Sequence, residues 1–407
     1  MTGLEHLPFF EAMAAIDESH AKWPALQSGL LTLRLVDKAW QAQRLGTRLE
    51  KWEIAAVLDA VEAMDEGNVV RRLLAQIVKQ MADRASNPAT ATPGLVAYAR
   101  ALQFEAEWKL AADVYRSALG FAMTSENMDL AASAAGQLGY CLRMAGELDE
   151  ASIAYDQSRA ISQMNDDVAG ALRADIGLAS IALHRGNLPE AAGMLDGVIE
   201  EAMHAQLPDV VSRALQDRAE VAARRGQLDS AVVYAYRALE LCDDATRRDR
   251  ILADIANLLG MLGHHLSSQQ AFEVLAVTAQ EQYLRWLATV NLVELASLEG
   301  SEPMFERYRR ELESAHLPPL LSAYLHLYVG EGNRRFNRVD AARAAYENAI
   351  AVAQEHDVNE VLIRAEVALR ELRHAHAPGA PAADVPSSSV QDVITAIRAM
   401  HASAGRS

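Results

Sequence analysis

Apolar residues along this chain recur in steps of three and four. Val69, Val70, Leu73, Leu74, Ile77, Val78 and Met81 share one helical face, and Asn68 just before them is a candidate N-cap. Leu31 and Leu35 mark a second helix, and Ile54, Val57, Leu58 and Val61 a third. No period-2 run of Val, Ile, Thr and aromatic residues is sustained, so no strand is predicted. Between Pro93 and Pro303 the only prolines are Pro189 and Pro208. A stretch that long, rich in Ala, Leu, Glu and Arg, reads as helices joined by short turns. Two breaker-rich stretches, Ser86 to Gly94 and Ala377 to Ser389, divide the chain into an N-terminal part, a long middle and a tail.

Within the middle a phrase recurs. Gly146-Glu147-Leu148-Asp149-Glu150-Ala151 returns 40 residues on as Gly186-Asn187-Leu188-Pro189-Glu190-Ala191, and 40 on again as Gly226-Gln227-Leu228-Asp229-Ser230-Ala231. Weaker copies begin at Gly263, Gly300 and Asn337, each 37 residues after the last, and a copy without glycine runs from Ala106 to Ala111. The chemistry of the phrase is that of a helix–turn–helix. Glycine takes the left-handed conformation that ends one helix, and acids or Pro189 open the next. Alanine at the sixth position lets two helices approach. Four residues past it stands a large group: Tyr115, Tyr155, Leu195, Phe272 or Tyr346, with Ala235 an exception. Small residues seven before the turn, Gly139, Ala179, Ala219, Ala256 and Gly330, complete an antiparallel pair of knobs and holes.

The Leu138-Gly139 pair, the Gly146 turn, Ala151, Tyr155 and their equivalents resemble the tetratricopeptide repeat (TPR) family over roughly residues 94–374. The match is poor around Gly300, where Pro303 and Phe305 replace the expected residues. The period of 37–40 exceeds that family's usual ~34 and is similar to the longer repeats of kinesin light chains and Rap-type bacterial regulators. The resemblance implies an all-α fold: a right-handed α-solenoid of TPR-like helical hairpins with an N-terminal helical cap. The expected layout is a helical bundle or degenerate repeats over 1–86, about seven repeats over 94–374, a flexible linker over 375–388 and an amphipathic helix over 389–403. In that last helix Val390, Val393, Ile394 and Ile397 form the apolar stripe, and Ser389 with Asp392 offers a cap.

Charge narrows the functions. The formal net charge is -17, concentrated in the middle with 41 acids against 26 bases. That argues against nucleic acid and anionic membrane as partners. Cys141 and Cys242 cannot build a disulfide framework, and Cys141 reads as a small buried hydrophobe. No signal peptide and no apolar run of membrane-spanning length is visible, so a cytoplasmic location is expected. Phosphate loops, H-E-x-x-H and G-x-S-x-G are absent from the sequence. Three E-x-x-H pairs, at Glu201, Glu313 and Glu371, fall far apart in the repeat register and read as surface pairs. Neither catalytic residues, metal nor cofactor is expected.

What remains is binding. In a TPR array the first helices of successive repeats line the concave face, so the resemblance implies three inward columns. One runs Gln137, Gly177, Asp217, Asp254, Asn291, Tyr328; the next Tyr140, Ser180, Glu220, Asn257, Glu294, Glu331; the third Ser133, Arg173, Arg213, Arg250, Leu287, Tyr324. They are i, i+3 and i+4 neighbours and make a polar strip. The expected function is a scaffold or adaptor that holds a protein or peptide segment in this groove. Arg173, Arg213, Asp217, Glu220, Arg250, Asp254, Asn257, Asn291, Tyr328 and Glu331 are the candidate contacts. The alternative is a Rap-like regulator switched by a small peptide or acting on a response regulator.

Overall fold

The structure, a computed structural model, describes residues 5–82, 88–356, 358–372 and 387–405. Among them are twenty α-helices, one 3-10 turn and no strand. The chain divides into two compact units, Met1–Val210 and Val211–Ser407.

The first unit holds α1 (Leu7–Ala14), α2 (Trp23–Leu45), α3 (Lys51–Glu62), α4 (Val69–Ala82), a 3-10 turn (Pro88–Ala91), α5 (Thr92–Phe104), α6 (Trp108–Thr124), α7 (Met128–Met144), α8 (Leu148–Met164), α9 (Val168–His184) and α10 (Leu188–His204). Helices α2, α3 and α4 pack mutually as a cap, with α4 against α5. From α5 onward the helices form antiparallel hairpins, each packed on the next. Asn68 does cap α4, its Oδ1 accepting from the Val70 amide at 2.9 Å. Part of the stretch read as a linker is ordered helix: Pro88–Ala91 makes the 3-10 turn, and Pro93 sits in the first turn of α5, where its missing N–H costs nothing.

The second unit holds nearly all of α11 (Pro208–Arg224), then α12 (Leu228–Glu240), α13 (Ala245–Met261), α14 (His265–Thr278), α15 (Gln282–Leu298), α16 (Glu302–Glu311), α17 (Pro319–Arg335), α18 (Val339–Glu355), α19 (Asn359–Leu372) and α20 (Ser388–Ala404). It too is a series of helical hairpins, so each unit has the all-α, TPR-like solenoid construction.

The repeat phrase sets the turns. Gly146, Gly186, Gly226, Gly263 and Gly300 all have positive φ, as do Ala106 and Asn337 in the copies without glycine. The next amide reaches back five residues, Glu147 N to Leu142 O at 2.9 Å and Arg338 N to Asn333 O at 2.8 Å, which satisfies a carbonyl left orphaned at the helix end. The sixth-position side chains Ala111, Ala151, Ala191, Ala231, Ser268 and Ala342 are buried. Close approach is real: a Cβ on Gly139 would lie 2.9 Å from the Tyr155 ring, and one on Gly330 would lie 2.5 Å from Tyr346. A serine hydroxyl ties several hairpins: Ser158 to the Ala132 carbonyl at 2.9 Å, Ser212 to Ala238 at 2.8 Å, Ser268 to Ala256 at 2.7 Å.

Helix α1 is fastened to the first unit by its N-cap, His6. The buried imidazole bonds Asp113 of α6 through Nδ1 and Asp37 of α2 through Nε2, each at 2.7 Å. Burial alone would lower its pKa; the hydrogen bonds and charges of Asp113 and Asp37 outweigh that and raise it to about 9. Because the folded value lies above the unfolded one, the stabilisation is fully present below about pH 6.5 and is lost as pH rises through about 9. We expect the resistance of the first unit to urea to fall between pH 7 and 10 in the parent and to be flatter with pH in His6→Gln. Parallel pH profiles would contradict the clamp.

The tail also ends in helix. Val390, Val393, Ile394 and Ile397 are buried as α20 packs on α12 and α14, and His401 Nε2 meets Glu273 Oε2 at 2.6 Å. The helix starts earlier than the expected Ser389 cap. Ser387 is the N-cap and its carbonyl accepts from the Gln391 amide at 2.9 Å, which places Ser389 inside the first turn. The linker expected over 375–388 lies, up to residue 386, outside the described residues.

Candidate functional site

In the second unit α11, α13, α15, α17 and α19 present side chains to one groove containing two cavities. The larger, about 500 Å³, is walled by Tyr283, Leu287, Leu298, Leu320 and Tyr324, with Glu294, Tyr328, Glu360 and Arg364 at its polar side. The smaller, about 250 Å³, is lined by Asp217 and Glu220 of α11 and Asp254 of α13. Asn257 lines both, so the cavities adjoin. The spacing explains the convergence. Asp254 with Asn257, Leu287 with Asn291 and Glu294, and Tyr324 with Tyr328 are three or four residues apart and share a helix face.

Arg364 organises the polar side. Its guanidinium is 3.3 Å from Glu331, 3.8 Å from Glu294 and 3.8 Å from Glu360, and it stands over the Tyr328 ring at 5.7 Å. Three carboxylates share this cation, and Arg335 adds a second at 3.7 Å from Glu331, so three acids meet two bases. Burial and repulsion from Glu331 push Glu294 up to about 7, against the pull of Arg364, Arg335 and a bond from Tyr328. Asp254 faces the groove, where the surrounding protein displaces water; that and repulsion from Glu220 and Asp217 push it up to about 6, although Gln216 donates to it at 3.1 Å. Burial pushes Tyr324 up to about 12 and Tyr328 higher, so their hydroxyls stay protonated and act as hydrogen-bond donors. Burial, helped by Arg335 and His264, lowers His265, which is neutral at neutral pH. Asn291 donates Nδ2 to the Leu287 carbonyl at 2.8 Å, which leaves its Oδ1 to accept.

The arrangement offers amide, carboxylate and phenol groups beside an apolar hollow. It pairs no nucleophile with a base. Cys141 in the first unit is buried, and its thiol is pushed up to about 12, which keeps it inert. Among the described residues no group of three or more His, Cys, Asp or Glu is placed to hold a metal ion, and no helix is long and apolar enough to cross a membrane.

Of the sequence-derived contacts, Asp217, Glu220, Asp254, Asn257, Asn291 and Tyr328 line the two cavities, and Glu331 joins through Arg364. The arginine row is placed differently. Arg173 lies in the first unit. Arg213 and Arg250 are exposed but outside the two cavity linings, and Arg250 is held by Glu281 at 2.9 Å. Sequence reasoning missed Arg364, Glu360, Tyr283 and the apolar wall of Leu298 and Leu320. Continuing the 37-residue step from Tyr324, Tyr328 and Glu331 lands on Val361, Ala365 and Ala368 of α19, which are buried, so the columns gave no sign of Arg364.

No family model matches the chain, and neither does any curated protein. Among solved structures it is similar to the Rap conjugation gene regulator of plasmid pLS20 in complex with the Phr* peptide, at 14% identity and a TM-score of 0.48 over 87% of this chain and 98% of that one. A Rap protein complexed with Competence and Sporulation Factor is similar at 13% identity, with a TM-score of 0.46 over 87% and 100%. A tetratricopeptide repeat protein from Parabacteroides merdae is similar at 17% identity, with a TM-score of 0.42 over 68% and 98%.

Proposed function

We propose that the chain is a non-catalytic scaffold or adaptor that binds a protein or peptide segment along the groove of its second unit. The observation that carries this reading is the pair of adjoining cavities. Together they offer about 750 Å³ of hollow, built from apolar walls with a few convergent polar groups, the composition of a binding site. An extended segment laid along the groove would meet both, with Asn257 and Asn291 available to its backbone amides.

The test uses peptides selected from a random phage-displayed dodecamer library on the intact protein. Leu287 is only partly buried and lines the hollow, so Leu287→Asp should leave melting nearly unchanged. It should weaken those peptides about 10-fold or more by placing a charge where an apolar side chain docks. Equal affinity for parent and variant would move the binding face elsewhere.

A further inference from the structure

The groove's charge says what kind of segment it takes, if segment binding there is accepted. Five carboxylates line the two cavities, Asp217, Glu220, Asp254, Glu294 and Glu360, against one guanidinium, Arg364. Arg364 is already divided between Glu294, Glu331 and Glu360. At the other cavity Glu220 has Arg224 of its own helix at 2.6 Å and Asp217 is itself engaged, while Asp254 receives the neutral amide of Gln216 at 3.1 Å. Asp254 is exposed at the groove, yet the protein around it displaces part of its water and Glu220 and Asp217 repel it, which raises its pKa. A cation brought beside it gains attraction and relieves that repulsion, and an anion does the reverse. Arg250 does not redress the balance, because Glu281 holds it at 2.9 Å outside these cavities.

The larger cavity adds a different demand. Its wall of Leu287, Leu298, Leu320, Tyr283 and Tyr324 is apolar or aromatic and adjoins the acidic cavity through Asn257.

We infer that the groove of the second unit recognises an extended segment in which a Lys or Arg side chain lodges against Asp254 and Glu220 while an aliphatic or aromatic side chain elsewhere in the segment packs on the wall of Tyr283, Leu287, Leu320 and Tyr324. The inference rests on the reading of this groove as a segment-binding site and adds the sign and kind of the groups read.

The experiment is the same dodecamer selection at pH 7.5, followed by fluorescence anisotropy of the synthetic winners. Enriched peptides are expected to carry Lys or Arg together with an aliphatic or aromatic residue. They should bind the Asp254→Asn, Glu220→Gln double variant about 10-fold more weakly, and their parent affinity should fall as salt is raised. Neutral or acidic winners that still lose affinity for Leu287→Asp would overturn the charge inference and leave segment binding standing. Winners indifferent to Leu287→Asp, or no enrichment at all, would overturn the groove reading and this inference with it.

Discussion

Replacing Phe305 by alanine is expected to destabilise the second unit by about 3–5 kcal/mol, the cost of emptying a fully buried aromatic site. Phe305 stands where the other hairpins place a small residue, and it is 0% exposed. Its ring reaches α17, where a Cβ on Gly332 would lie 2.3 Å from it, and it meets Phe336 edge-on with ring centres 5.3 Å apart. The large residue on α16 and the missing side chain on α17 are therefore one packing solution. Gly332→Ala alone should cost about 1–3 kcal/mol through overpacking. The two changes touch, so they should not add: alanine at both positions is expected to cost less than the sum. Urea unfolding with hydrogen exchange on α16 to α18 measures all three. Strict additivity would mean that Phe305 and Gly332 do not pack as described.

Loss of α20 should have the second large effect. Val390, Val393, Ile394 and Ile397 are each at most 3% exposed, on the surface of α12 and α14. Their burial contributes about 1.5–3 kcal/mol apiece. Removing residues 387–407 gives up that burial and uncovers the apolar surface beneath. A lower melting temperature, by roughly 2–4 °C for each kcal/mol lost, and increased self-association are expected. Ile397→Asp should reproduce both, because burying an unpaired carboxylate costs more than docking returns. Hydrogen exchange over 390–402 reports it directly, with protection in the parent and loss in the variant. Protection that persists in Ile397→Asp would place the stripe somewhere other than this seat.

The hairpins were legible wherever a turn carried glycine. The turns between hairpins in the first unit were not, although they use the same geometry: Glu126, Asp166 and Gln206 have φ of 56, 53 and 56°, again 40 residues apart. Their left-handed strain is met by the same back-reaching bonds, such as Asp167 N to Ser162 O at 2.9 Å, rather than by the residue type that advertises it. The hairpin at Gly300 looked broken because Phe305 fills an alanine position. The compensation sits 27 residues on, at Gly332, where a one-residue pattern has no reach.

The groove was half legible for a related reason. Column counting found Asp254, Asn257, Leu287, Asn291, Glu294, Tyr324 and Tyr328, because α13, α15 and α17 keep the 37-residue register. It treated the face as a polar strip. The hollow among those residues is made by Tyr283, Leu298 and Leu320, close to helix ends, and by Arg364 of α19, one residue before the projected column position at Ala365. Recurrence drew attention to the arginines, but the partner that engages Arg250, Glu281, lies in the α14–α15 connection, which a periodic reading passes over.

The central claim is that a partner segment lies across the two cavities. Asn257 is exposed and lines both, whereas Val277 of α14 is exposed and lines neither. A photo-crosslinking benzoylphenylalanine at each position, with one labelled selected peptide as probe, separates the two surfaces. The account predicts an adduct at position 257, competed by unlabelled peptide, and none at 277. Labelling at 277 with none at 257 would contradict it.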